Sequence, residues 1–255
     1  MNHISTHNDF NLGDNIFHLD YLMKIINNHP DYIFTHYCRE VYHSQLYKLI
    51  VGYENSIYLK PLIDVPDYSI NSWIGHGGWY HNIWCGTICE YPSKYDYMYI
   101  EWYTHLEKTY GLPNPRKTPT DFLLYFKDIE NYDLPKSYDV LVINSIPLSG
   151  QYSYEHELFV KFCNMMSSNN LSVITTNKLE NYECTLEYDY DVTQIAKIST
   201  KAKYILAINT GPIALCINKY TMSNCQFFHV LDDANSYSYD IFSWSRTLRE
   251  VEFSF

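Results

Sequence analysis

Short apolar runs of strand character alternate with amphipathic helical stretches along this chain, and the alternation starts twice. That pattern restricts the fold to the α/β class, in which helices cover largely parallel sheets. The first series opens with an expected strand at His3 to His7 and a turn at Asn11-Leu12-Gly13-Asp14. A helix follows in which Ile16, Leu19, Met23 and Ile26 recur at three- and four-residue steps, and Asn28-His29-Pro30 ends it. Next come a strand at Tyr32 to Cys38, a helix from about Arg39 to Val51, and strands at Ser56 to Leu62 and Tyr68 to Ile74. A longer helix from about Lys94 to Tyr110 is stopped by Gly111 and Pro113.

Leu112 to Lys136, with Pro113, Pro115, Pro119 and Pro135, has the composition of a connector. The alternation then begins afresh at Val140-Leu141-Val142-Ile143, a run suited to a strand buried on both faces. Strands are expected at 139–146, 171–176, 204–209 and 226–231, with helices at about 153–168, 192–202 and 212–221. Asp191 and Gln194 form a capping box for the middle helix. The simplest organisation is two Rossmann-like domains, residues 1–135 and 136–255.

Of the 255 residues 46% are hydrophobic and 18% charged, which excludes disorder and leaves enough apolar surface for two small cores. The formal charge of −11 argues against nucleic acid and against an anionic membrane surface, since either partner would need clustered Lys and Arg. No apolar run approaches the roughly 20 residues of a membrane-spanning helix. The N-terminus lacks the parts of a signal peptide, so a soluble, cytoplasmic protein is expected. The seven Cys are scattered, as buried reduced thiols would be. Cys85 and Cys89 lie near His76 and His81, but the second Cys-x-x-Cys of a zinc site is absent, and no metal is expected.

The most informative segment is Tyr204 to Leu215. An apolar strand ends at Asn209-Thr210, turns at Gly211 and enters a helix at Pro212, where a missing N–H costs nothing. Such a junction can hold an anion on backbone N–H groups and the Thr210 hydroxyl, or it can be an ordinary strand-to-helix turn. Asp14 likewise has two readings. It can cap the first helix, or its carboxylate at the end of the first strand can take a proton from a substrate hydroxyl. Trp73, Trp79, Tyr80 and Trp84 with His76 and His81 suit either stacking on sugar rings or a packed aromatic patch.

Three segments in this order resemble the ADP-heptose:lipopolysaccharide heptosyltransferase family. They are Leu12-Gly13-Asp14-Asn15-Ile16-Phe17, a Gly-Asp between first strand and first helix; Ser72-Trp73-Ile74-Gly75-His76-Gly77-Gly78, a strand entering a glycine loop; and Ala202 to Ile217, similar to the family's strand, Asp-Thr-Gly-Pro turn and helix. The resemblance implies a GT-B fold, two Rossmann-like domains with a cleft between them, and an inverting glycosyltransferase. It implies that Asp14 is the general base and that Gly13, Asn15, His76, Gly77 and Trp79 face a carbohydrate or glycoconjugate acceptor. Ser149, Gly150, Gln151, Asn209, Thr210, Gly211, Pro212 and Ile213 would hold the diphosphate of a nucleotide-sugar co-substrate, with no cofactor and no metal. The C-terminal Trp244, Arg246 and Arg249 would lie on a last helix that returns to the first domain or stays on the surface.

The chain departs from the family where Asn209 replaces its Asp and Ala214 its His. Between Lys136 and Lys178 the only Lys or Arg is Lys161. One lost charge-assisted hydrogen bond to a diphosphate costs roughly 1.5–3 kcal/mol. A non-catalytic GT-B-like binding or scaffold protein is therefore the alternative, and another phosphate-handling Rossmann enzyme, such as a sugar-nucleotide epimerase, a third reading.

Overall fold

The computed structural model describes residues 2–71, 106–113, 136–147 and 152–232, isolated positions such as 129 and 150, and the backbone of 237–240 and 245–248. Contacts divide the chain into two compact units, Met1–Asp128 and Ile129–Phe255. Among the described residues no helix is long and apolar enough to cross a membrane.

The first unit runs β1 (Asn2–His7), α1 (Leu12–Asn28), β2 (Tyr32–Cys38), α2 (His43–Leu49), β3 (Ile57–Pro61) and β4 (Ile70–Asn71). Its strands form a parallel sheet of order β3-β2-β1-β4. The chain works outward from β1 to β3 and then returns to the other side of β1. The crossover reverses between β1 and β4, the place where open α/β sheets leave a crevice at their carboxyl ends. Ile4, Phe34, Ile57 and Leu59 of the strands, Leu19, Leu22 and Ile25 of α1, and Leu46 of α2 make the core.

Two expectations change here. The residues expected as a turn, Leu12, Gly13 and Asp14, already form the first turn of α1, with Asn11 as its N-cap. The helix starts early because the Asp14 carboxylate accepts the Asn11 backbone N–H at 3.1 Å, satisfying a donor that the helix itself leaves open. The second helix is shorter than expected, a 3₁₀ turn at Glu40–Tyr42 followed by α2. Of the helix expected to end at Tyr110, residues 106–110 are helical and are held where Tyr32 Oη donates to the Tyr110 carbonyl at 2.8 Å. The rest of that helix, like Ser72 to Ile74, lies outside the described residues.

The second unit runs β5 (Val140–Ile143), α3 (His156–Ser168), β6 (Val173–Thr175), β7 (Glu183–Cys184), α4 (Val192–Ser199), β8 (Tyr204–Ile208), α5 (Gly211–Cys216), α6 (Lys219–Asn224), β9 (Phe227–Leu231), β10 (Tyr237–Asp240) and β11 (Ser245–Leu248). The sheet order is β11-β10-β9-β8-β5-β6-β7. Its five strands from β9 to β7 are parallel, and β10 and β11 are antiparallel additions at one edge. All four residues of β5 are buried, as its apolar run requires. Phe159, Phe162 and Cys163 of α3 pack on Val140, Val142, Leu206 and Ile208.

The expected capping box of α4 is present: Asp191 Oδ1 accepts from Thr193 N at 2.8 Å, and Gln194 Oε1 accepts from Asp191 N at 3.0 Å. The single helix expected at 212–221 is instead two, α5 and α6. Buried Asn218 breaks it by donating to the Leu215 carbonyl and accepting the N–H groups of Tyr220 and Thr221 at 3.1 and 2.9 Å. The last segment is also corrected. Arg246 lies on a strand, β11, paired with β10 through Tyr239, rather than on a helix; Trp244 and Arg249 lie outside the described residues.

Candidate active site

Each unit brings sequence-singled residues to the crossover reversal of its own sheet. In the first unit the loop from β1 to α1 is shaped by Asn8, whose Oδ1 accepts the Phe10 N–H at 2.9 Å, and by Arg39, whose Nε donates to the Asp9 carbonyl at 2.8 Å. Asp14 follows at the third position of α1. Its side chain is only 5% exposed, and while Oδ2 takes the Asn11 N–H, Oδ1 has no hydrogen-bond partner. Burial outweighs the neighbouring backbone donors and pushes the carboxyl up to about 7. Asp14 therefore caps the helix through one oxygen, while the other is buried without a partner.

Gly13 and Asn15 flank Asp14 and are buried. Asn15, expected to touch the acceptor, has both ends of its amide bonded within the protein: Nδ2 donates to the Asn11 carbonyl at 2.9 Å, and Oδ1 accepts from His36 Nε2 at 2.8 Å. His76, Gly77 and Trp79 lie outside the described residues, as do Cys85, Cys89 and His81. Among the described residues no cluster of His, Cys, Asp and Glu could hold a metal ion. The five cysteines described, Cys38, Cys163, Cys184, Cys216 and Cys225, are free and buried.

In the second unit the reversal lies between β5 and β8, and Asn209 to Ile213 sit at the end of β8. The Thr210 hydroxyl donates to the Ile208 carbonyl at 3.2 Å, and the Ile213 N–H to the Thr210 carbonyl at 3.1 Å. Pro212 has no N–H, and the Ile213 side chain is in the core. Backbone N–H groups offered to a ligand are thus fewer than the sequence suggested, and α5 is a short helix of six residues. Gly150, in the loop after β5, has φ +69°, a conformation that glycine adopts without strain. Ser149 and Gln151 lie outside the described residues.

No protein-family model matches the chain, and no curated protein matches it in sequence. Solved structures do match. In fold the chain is similar to heptosyltransferases. The iron-containing dodecameric glycosyltransferase TibC of enterotoxigenic E. coli H10407 superposes with a TM-score of 0.51 at 10% identity, over 84% of this chain and 55% of TibC. The complex of TibC, an iron-containing heptosyltransferase, with ADP-D-β-D-heptose gives 0.52 at 11% identity, over 85% and 56%. E. coli heptosyltransferase WaaC with ADP gives 0.49 at 9%, over 84% and 83%. The chain spans about half the length of TibC, and the likeness is one of fold.

Sequence reasoning missed two features of these sites. Asp232, at the end of β9, accepts from Asn209 Nδ2 at 3.0 Å and sets a carboxylate beside the Thr210-Gly211 turn. Under α1 lies a buried polar chain of His18, Thr6, His36 and Asn15. Its residues were visible only as polar interruptions in otherwise apolar elements.

Proposed function

We propose that the chain is a glycosyltransferase of GT-B type. It moves a sugar from a nucleotide-sugar donor to a carbohydrate or glycoconjugate acceptor, with residues 1–135 serving the acceptor and 136–255 the donor. The observation that carries this reading is the Asp14 carboxylate: buried at the carboxyl end of β1, held through one oxygen and unpartnered at the other. A general base works best when its pKa lies near the working pH, and about 7 meets that condition. The fold likeness to TibC supports the same class.

In the reaction the acceptor hydroxyl oxygen attacks the anomeric carbon from the face opposite the nucleotide. The bond from that carbon to the diphosphate oxygen breaks, Asp14 takes the hydroxyl proton, and configuration inverts. The leaving charge falls to the turn at Gly211 at the end of β8, with no metal written into the step. The test is product formation from a panel of nucleotide sugars by wild type and Asp14→Asn.

A second reading, a GT-B-like binding or scaffold protein without catalysis, draws on one observation: the Asp232 carboxylate is bonded to Asn209 at the end of β8, beside the turn proposed for the diphosphate. Thermal shift with nucleoside diphosphates separates the two. Stabilisation supports the enzyme, and no shift across the panel supports the scaffold.

A further inference from the structure

His36 sits in the middle of β2, 0% exposed, and faces the first two turns of α1. Its partners fix every proton in its surroundings. Asn15 Oδ1 can only accept, so His36 Nε2 carries a hydrogen and donates it across 2.8 Å. Burial, with His7 and His43 nearby, holds the His36 pKa down to about 3 and the ring neutral, which leaves Nδ1 as an acceptor. The Thr6 hydroxyl, 3.0 Å away, must then donate to Nδ1, and its own oxygen accepts from His18 Nε2, also at 3.0 Å. The His18 and His36 rings lie 4.4 Å apart between centroids, tilted by 39°.

The chain of bonds does not stop at Asn15. Asn15 Nδ2 donates to the Asn11 carbonyl at 2.9 Å, and the Asn11 N–H donates to Asp14 Oδ2 at 3.1 Å. Helix propensity alone does not account for this arrangement. Thr6 of β1, His36 of β2 and His18 of α1 are buried in one hydrogen-bonded chain, and through it the Asn15 amide grips the residue capping α1. We propose that His36 is a positioning residue for Asp14: through Asn15 it locks the Asn11 cap, and the cap holds the carboxylate buried, with one oxygen bound and the other unpartnered. The functional meaning of this lock rests on the proposed role of Asp14 as base; the lock itself does not.

His36 makes two bonds that different amides imitate. Gln places its amide nitrogen near the position of Nε2 and can keep the bond to Asn15, whereas Asn places its amide oxygen near Nδ1 and keeps only the bond from Thr6. Cutting the Asn15 bond leaves a buried acceptor unsatisfied, and the cap relaxes to admit water. The readout is the pKa of Asp14, followed by carboxyl ¹³C NMR on the whole chain without any substrate. In His36→Asn it is expected to fall by about one unit or more, because water relieves the desolvation that raised it. In His36→Gln it stays at the wild-type value. Asn15→Leu, which cuts the same chain one residue closer to Asp14, should give the fall seen with His36→Asn.

An Asp14 pKa unmoved in folded His36→Asn, or moved equally by His36→Gln, would overturn the proposal. Should His36→Asn fail to fold, an unmoved pKa in Asn15→Leu would do the same. Because no substrate enters the measurement, failure of this lock leaves the base assignment standing. Retained transfer by an Asp14 variant would remove the base assignment and leave the NMR result intact.

Discussion

The side-chain amide of Asn209 donates to the carboxylate of Asp232 at 3.0 Å, tying the end of β8 to the end of β9. Both groups are nearly buried, and the Asn209 N–H adds a backbone bond to Leu231 at 3.0 Å. The turn that the sequence marks as a candidate anion site thus has a carboxylate beside it.

Neutralising that charge should favour the proposed donor. Asp232→Asn is expected to bind ADP tighter by about 1 kcal/mol, roughly fivefold, through removal of one like charge at short range. Calorimetric titration checks this. An unchanged or weaker affinity would place the diphosphate away from Asp232.

The raised Asp14 carboxyl predicts a pH-dependent stability of definite sign. Below its ordinary pKa of 3.8 the group is protonated in both folded and unfolded chains. Between 3.8 and about 7 the unfolded chain releases the proton while the folded chain keeps it, so its contribution to stability declines as pH rises. The decline amounts to up to about 4 kcal/mol, from about three pKa units at 1.36 kcal/mol each. Asp14→Asn cannot ionise and should lack it, matching wild type near pH 4 and exceeding it above pH 7. Urea unfolding of both proteins across that range gives the answer, and parallel curves would contradict the burial argument.

Gly150 offers a local test of the loop after β5. A methyl group there would meet nothing within 4 Å, so the cost of Gly150→Ala comes from its φ of +69° alone. We expect a loss of about 1 kcal/mol in denaturant unfolding. A neutral result would mean that the loop takes another backbone conformation.

The alternation of elements was readable because buried parallel strands are continuous apolar runs, as at Val140–Ile143 and Tyr204–Ile208. The break between α5 and α6 was not, since it depends on Asn218 bonding backbone groups on both sides, and its neighbours carry no Gly or Pro to mark it. Local spacing also located Asp14 and the Asn209-Thr210-Gly211 turn. Their surroundings were hidden for a different reason. Thr6 and His36 are 30 residues apart, and Asn209 and Asp232 are 23 apart, so only the sheet register brings each pair together. The desolvation that raises Asp14 likewise belongs to the packed unit and has no signature in the residues beside it.

The central claim is that Asp14 removes the proton from an acceptor hydroxyl, and the pH profile of sugar transfer by wild type and Asp14→Asn tests it most directly. The account predicts a wild-type kcat/KM that rises with pH through about 7, as the carboxyl ionises. It also predicts a folded Asp14→Asn slower by about a hundredfold or more, the usual contribution of a general base. Undiminished turnover by Asp14→Asn, with the same pH profile, would contradict it.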